Sequence, residues 1–235
     1  MAPALAPKEY PYTVVGVLEI FYEDGGVMKK WVGSGYLVKT AAHPERKDIV
    51  LTAAHNLVFL RRPGPLELHF TVYGDRDVYT IAARRDGTLR YAIPEGYDRF
   101  PGNPAFDYAV MILQEGAGGA NAPLTLATVG ETLRTPATIA GGLSAKVQEG
   151  DRKVYCSAVT AEKRRDTALY YPEDATAKGM SGGPVLVEER ASTWTSIGVV
   201  TGTGIVDGEL KGIAAPIFEE TAESIDALIA SSLAG

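Results

Sequence analysis

The chain carries one cysteine, Cys156, so no intramolecular disulfide can brace it, and its 235 residues must hold together by burying a core. No apolar run approaches the length that spans a bilayer, which excludes a helical membrane protein. Positive charge is not in excess: 23 Lys and Arg face 29 Asp and Glu, a net charge of -6. The basic pairs Arg61-Arg62, Arg84-Arg85 and Arg164-Arg165 are scattered, so neither a phosphate-binding face nor a nucleic-acid partner is expected. The opening MAPALAPKEY lacks the basic and apolar regions of a secretory signal. A cytoplasmic protein is the expectation, the mature form of a secreted one the alternative, and the oligomeric state is not legible. Histidine is scarce too, with only three in the chain.

What is present is mostly short strands separated by turn chemistry. YTVVGVLEIFY runs into EDGG, where Asp24-Gly25 signals a hairpin, and VMKKWVGSGYLV returns. In LELHFTVY the residues Leu66, Leu68, Phe70 and Val72 alternate with Glu67, His69, Thr71 and Tyr73, the period of a half-buried strand with His69 facing out. QEGAGGANAP has no periodicity and reads as a connection, after which the same texture resumes. The expectation is an extension over 1–11, a first β-barrel over 12–115, a linker over 116–123, a second barrel over 124–215 and a C-terminal helix over 216–235. That helix starts at Pro216, carries Glu219-Glu220 at its positive end, and sets Phe218, Ala222, Ile225, Leu228, Ile229 and Leu233 on one stripe expected to pack on the second barrel. Cys156 reads as a small core residue. Tyr170-Tyr171 before Pro172 could line a substrate cleft, but packing at a strand end is the plainer reading; EKRRD at 162–166 reads as a solvated turn, and the lone GTG at 202–204 is too short for a phosphate loop.

The segment AKGMSGGPVL at 177–186 sets Ser181 among glycines. Read plainly this is a tight turn. A serine hydroxyl becomes a nucleophile only when a base takes its proton and a third group orients that base. His43 lies in the polar AAHPERKD, and His69 points outward. His55 ends the buried run IVLTAAH, where packing fixes the ring while its edge stays open. Asp107 stands just before the apolar run of DYAVMIL, a partly buried carboxylate suited to an imidazole N–H. Chain order narrows the options. GMSGG satisfies the G-x-S-x-G elbow, but no histidine follows Ser181, and a subtilisin-like order needs the aspartate before the histidine. The order His55, Asp107, Ser181 remains.

TAAH at 52–55, DYAV at 107–110 and GMSGGP at 179–184, in that order, resemble the three signature segments of the chymotrypsin-like serine peptidases. GSGYLV at 33–38 is similar to the strand before the histidine in their bacterial and glutamyl-endopeptidase-like members. The resemblance implies an all-β fold of two packed six-stranded Greek-key barrels with a C-terminal α-helix and a cleft between the barrels. It implies Ser181 as nucleophile, His55 as base, Asp107 as its orienter, and the backbone N–H groups of Gly179 and Ser181 as oxyanion hole. It requires no metal or organic cofactor, and the partner it implies is a protein or peptide substrate. Met180 stands where secreted animal members carry an aspartate that pairs with a cut N-terminus, so activation by that route is not expected. Asn56 stands where many relatives have a disulfide cysteine. For the primary pocket the resemblance puts Ala175 at the floor with Thr176 beside it, Lys178 near the mouth, Val200, Thr201 and Thr203 on the wall, and Gly212 opposite. It also sets Thr201 near Asp107. A small to medium apolar side chain is the expected P1 residue, with an acidic one next because of Thr176 and Lys178. A peptide-binding module without catalysis and a dedicated processing protease are the competing readings.

Overall fold

The computed structural model describes residues 2–58, 65–73, 78–100, 102–114, 122–163, 167–190 and 192–234. Most of the expected linker, and residues 164–166 of the expected EKRRD turn, lie outside the described residues. In chain order the strands and helices begin with β1 (Ala4–Leu5), β2 (Val15–Asp24), β3 (Val27–Lys39) and β4 (Ile49–Thr52), then a helical turn α1 (Ala54–Leu57). There follow β5 (Glu67–Val72), β6 (Tyr79–Thr80), β7 (Tyr91–Ala92), α2 (Glu95–Arg99) and β8 (Ala109–Ile112). The remainder comprises β9 (Leu124–Leu126), β10 (Leu133–Gly142), α3 (Ser144–Gln148), β11 (Val154–Lys163), β12 (Leu169–Pro172), β13 (Pro184–Arg190), β14 (Thr193–Val206), β15 (Glu209–Pro216) and α4 (Glu219–Leu233).

The hairpin foreseen at Asp24-Gly25 joins β2 to β3, in register from Val15↔Tyr36 to Asp24↔Val27. Its strands seed the first barrel: β3 pairs β4, β4 pairs β8, β2 pairs β5, and β5 pairs β6. The ring closes where Ile81 bridges Leu113 and the Ala82 N–H reaches the Ile112 carbonyl at 2.8 Å. In the second barrel β13, β10, β11, β12, β15 and β14 follow one another, and a β13–β14 pairing closes the ring. Closure removes the unpaired edges that an open sheet would expose. β9 pairs in parallel with β3 on one side and β14 on the other, joining the two rings. The all-β two-barrel expectation therefore holds.

Leu68, Phe70 and Val72 of β5 are buried as the alternation predicts, but the pattern fails at the strand's end, where Thr71 and Tyr73, expected to face out, are buried as well; Leu66 lies before the strand and is exposed. His69 is half-buried, stacked edge-on against Phe21 and hydrogen-bonded to Glu67 at 2.5 Å. Cys156 is partly buried against the core, and burial pushes its thiol pKa up. The segment read as an extension is ordered: β1 pairs β11, Ala6 is buried, its N–H donates to the Val154 carbonyl at 3.0 Å, and its carbonyl accepts from the Tyr73 hydroxyl at 2.7 Å.

Two expectations for the C-terminal helix are corrected. Pro216 does not open it: Pro216 ends β15, paired with Gly198, and Phe218 is the N-cap of α4. Nor does the helix pack on the second barrel. Ile225 and Ile229 are fully buried within the apolar cluster that holds the β8 residues Ala109 to Ile112. Thr40 donates to Asp226 at 2.5 Å and Arg84 to the Ser231 carbonyl at 3.2 Å, both from the first barrel. An amphipathic stripe declares that it is buried but not what buries it.

An ion triad also ties the barrels. Glu19 of β2 is buried and accepts from Lys30 at 2.8 Å and from Arg152, which precedes β11, at 2.6 Å. Burial disfavours its charge, but the hydrogen bonds from Arg152 and Lys30 outweigh that and hold its pKa below the ordinary carboxylate value. A depressed carboxylate contributes stability that is fully present above its unfolded pKa and is lost as pH falls through its folded pKa. Glu19→Gln is expected to cost about 2 kcal/mol near neutrality and to flatten the acid limb of a melting-temperature profile. Identical acid limbs in the two proteins would reject the triad as a source of acid sensitivity.

Candidate active site

His55 sits in α1, one turn after buried β4, with its side chain 23% exposed. Asp107 ends a 3₁₀ turn (Pro104–Phe106) that Asn103 caps by accepting the Ala105 N–H at 3.0 Å, and Phe106 stacks on Phe100. The cap and the stack fix Asp107 just before β8. Its carboxylate grips His55 twice: Oδ1 accepts the His55 backbone N–H at 2.9 Å, and Oδ2 lies 2.7 Å from Nδ1. Accepting at Nδ1 assigns the ring proton there and leaves Nε2 free to take one.

The Ser181 loop is laced to the first barrel from several directions. The Ser181 carbonyl accepts from the Ser34 N–H at 2.8 Å and from Asn56 Nδ2 at 2.9 Å. The fully buried Ser34 hydroxyl donates to the Gly179 carbonyl at 2.6 Å and accepts the Gly142 N–H at 2.8 Å. Asn56, the neighbour of His55, also donates to the Thr52 hydroxyl at 3.1 Å. One carboxamide thus links the histidine turn to the serine loop.

Two backbone donors are left over. The Lys178 carbonyl accepts the Ser144 N–H at 2.8 Å. A trans peptide points its carbonyl and N–H in opposite directions, so the Gly179 N–H is turned away from Ser144. Among the described residues neither the Gly179 N–H nor the Ser181 N–H finds an acceptor. Gly179 holds this shape at φ +101, and a Cβ there would lie 2.5 Å from the Ser144 nitrogen.

The Ser181 hydroxyl donates to the Thr201 carbonyl at 3.2 Å. Thr201 and His55 line one cleft of about 370 Å³, together with Asp107, Tyr97, Pro104 and Thr203. Burial, then the charges of Asp107 and Asp98, push the Tyr97 phenol pKa up to about 12, so this cleft residue is neutral. Thr201 and Asp107 line the same cleft, and the Thr201 hydroxyl goes to the Ile213 carbonyl at 3.1 Å. Among the described residues no three of His, Cys, Asp or Glu group closely enough to hold a metal ion.

Similarity to solved structures is extensive in shape and slight in sequence. A structure described as a Glu endopeptidase in complex with MPD matches with a TM-score of 0.72 at 18% identity, over 97% of both chains. The protease Anisep from Arthrobacter nicotinovorans matches at 0.67 and 19% identity, over 95% of this chain and 98% of that one. A thermostable serine protease AL20 from an extremophilic microorganism matches at 0.65 and 17% identity, over 95% and 99%. The chain has the chymotrypsin-like fold. No family model matches it, and no curated sequence does so significantly.

Within that chymotrypsin-like frame the residues expected at the primary pocket are spread between core and surface. Ala175 ends a 3₁₀ turn (Glu173–Ala175) and is buried, and Val200 is fully buried. Lys178 and Thr203 are exposed, Thr176 is half-buried, and Gly212 is buried opposite Thr203. The sequence singles out GSGYLV without giving Ser34 a role, since no local pattern distinguishes it from any strand serine, and Tyr171, read there as strand-end packing, lays its ring against Gly212.

Proposed function

We propose that the chain is a serine endopeptidase acting through His55, Asp107 and Ser181, with Gly179 and Ser181 supplying the oxyanion donors. The observation that carries this reading is the two-point grip of Asp107 on His55 in a cleft lined also by Thr201, the residue that receives the Ser181 hydroxyl. In the proposed first step Ser181 turns about its Cα–Cβ bond from Thr201 to His55 Nε2. Its Oγ attacks the substrate carbonyl carbon as Nε2 takes the proton. The carbonyl oxygen becomes an oxyanion in front of the two backbone N–H groups, and each such donor is worth about 100- to 1,000-fold in rate. Collapse expels the amine, which receives the proton from Nε2. Water then hydrolyses the acyl-enzyme by the same proton path in reverse. Asp107 keeps the proton of the neutral ring on Nδ1 and stabilises the imidazolium. The proposed P1 preference is a small to medium apolar side chain.

One observation favours the second reading, a module that holds peptides without cutting them: the Ser181 hydroxyl points at a carbonyl rather than at the histidine. The same rotamer is compatible with catalysis, since catalytic hydrogen bonds commonly tighten only when substrate binds. A fluorophosphonate probe separates the two. One label per molecule on the parent, absent from Ser181→Ala and strongly slowed in His55→Ala, is the expected intact-mass result. A folded parent that takes no label would favour the binding module.

A further inference from the structure

Tyr171 comes from β12, directly across from Gly212 of β15. A Cβ on Gly212 would lie only 2.0 to 2.7 Å from three atoms of the Tyr171 ring, so the ring rests on the bare Cα of that glycine. Gly212 is in turn the cross-strand partner of Thr203, which lines the cleft beside His55. The ring is 2% exposed and belongs to one apolar cluster with Ala175, Val200 and Ala214. The phenol therefore lies among the residues that would form the floor and walls of the P1 pocket.

Its hydroxyl is also engaged within the protein. It donates to the Ile213 carbonyl at 3.3 Å. A tyrosine has one hydroxyl proton, and here it is engaged inside the protein. Withdrawing the ring would strand these groups without partners in a buried site. Burial also pushes the phenol pKa up, so the group is neutral at any working pH. Neither a spare donor nor a negative charge is offered to a P1 side chain from this floor.

We infer that Tyr171 is the specificity-determining floor of the P1 pocket, restricting it to short side chains such as those of alanine, serine, threonine and valine and disfavouring leucine, phenylalanine and glutamate. This rests on the proposed peptidase reading and narrows it.

The test uses the full chain and its Tyr171→Phe, Tyr171→Leu and Tyr171→Ala variants. Active sites are titrated with the fluorophosphonate, and kcat/KM is measured on a peptide series differing only at P1: Ala, Val, Leu, Phe and Glu. The parent is expected to favour Ala and Val over Phe by about tenfold or more. Tyr171→Phe keeps the ring and holds that order, whereas Tyr171→Leu and Tyr171→Ala shift the optimum toward Leu and Phe by a similar factor. Tyr171→Leu retains apolar bulk and carries the test if Tyr171→Ala does not fold, and the parent's own size series is independent of both. A parent preferring Phe or Glu overturns the inference, as does an unchanged P1 order in a labelled Tyr171→Leu. Absence of labelling in a folded parent defeats the peptidase reading itself and takes the inference with it.

Discussion

Asp107→Asn is expected to lower kcat about 10,000-fold with little change in KM. The carboxylate serves two donors at once, the His55 backbone N–H at 2.9 Å and the Nδ1 atom at 2.7 Å. An asparagine has one acceptor oxygen. If that oxygen stays with the backbone N–H, the new NH₂ faces Nδ1, which must then give up its proton and accept. The ring proton moves to Nε2, the atom proposed to take the serine proton, and the base is blocked. If the amide turns the other way, its NH₂ meets the backbone N–H and the turn that carries His55 loses its anchor. The stability cost of either arrangement is about 1 kcal/mol, far too small to explain the loss of rate. The decisive comparison is therefore kcat on the best P1 peptide set beside the melting temperature. A decline in kcat of less than tenfold in a variant that melts like the parent would remove Asp107 from the proposed mechanism.

How far this site can be read from the letters depends on the range of each contact. His55 and Asp107 announce themselves locally, because each stands next to a continuous apolar run, IVL before one and VMIL after the other, that fixes a strand and hence a depth. The long strands of β2 and β3 are equally legible from their turn and their apolar runs. β6, β7 and β9 are two or three residues long and too short to show any period. Ser34 is silent for a different reason: its partners Gly142 and Gly179 lie 108 and 145 residues away, so its role exists only once the barrels have met. Tyr171 is ambiguous because an aromatic residue at a strand end looks the same whether it fills a core or floors a pocket. Here it does the first by observation and the second by inference. The docking of α4 on the first barrel had no local signal beyond the stripe, since both barrels offer apolar surface.

Gly182→Ala is expected to cost more than 4 kcal/mol, the range reached only by specific mechanisms such as overpacking, and to lower the melting temperature by about 10 °C. Gly25→Ala supplies the control. Both glycines have positive φ, +62 at Gly25 and +92 at Gly182, so both substitutions carry the backbone penalty of about 1 to 2 kcal/mol that an L side chain meets there. At Gly25, in the β2–β3 turn, a Cβ would meet nothing within 4 Å. At Gly182 it would stand 2.1 Å from the Ser34 carbonyl oxygen, 2.4 Å from the Thr52 hydroxyl and 2.8 Å from Asn56 Nδ2. Those atoms cannot yield singly. The Ser34 carbonyl accepts the Thr52 hydroxyl at 2.7 Å, the Ser34 N–H holds the Ser181 carbonyl at 2.8 Å, and Asn56 holds the same carbonyl at 2.9 Å. Relief of the clash must therefore push the serine loop off the first barrel, taking Ser181 away from the turn that carries His55. Gly25→Ala should melt only a few degrees below the parent and accept the fluorophosphonate at the parent rate. Gly182→Ala should lose label even in the fraction that remains folded. Equal melting temperatures for the two variants would mean that the junction between the barrels yields, and that the close approach at Gly182 does not hold the nucleophile in place.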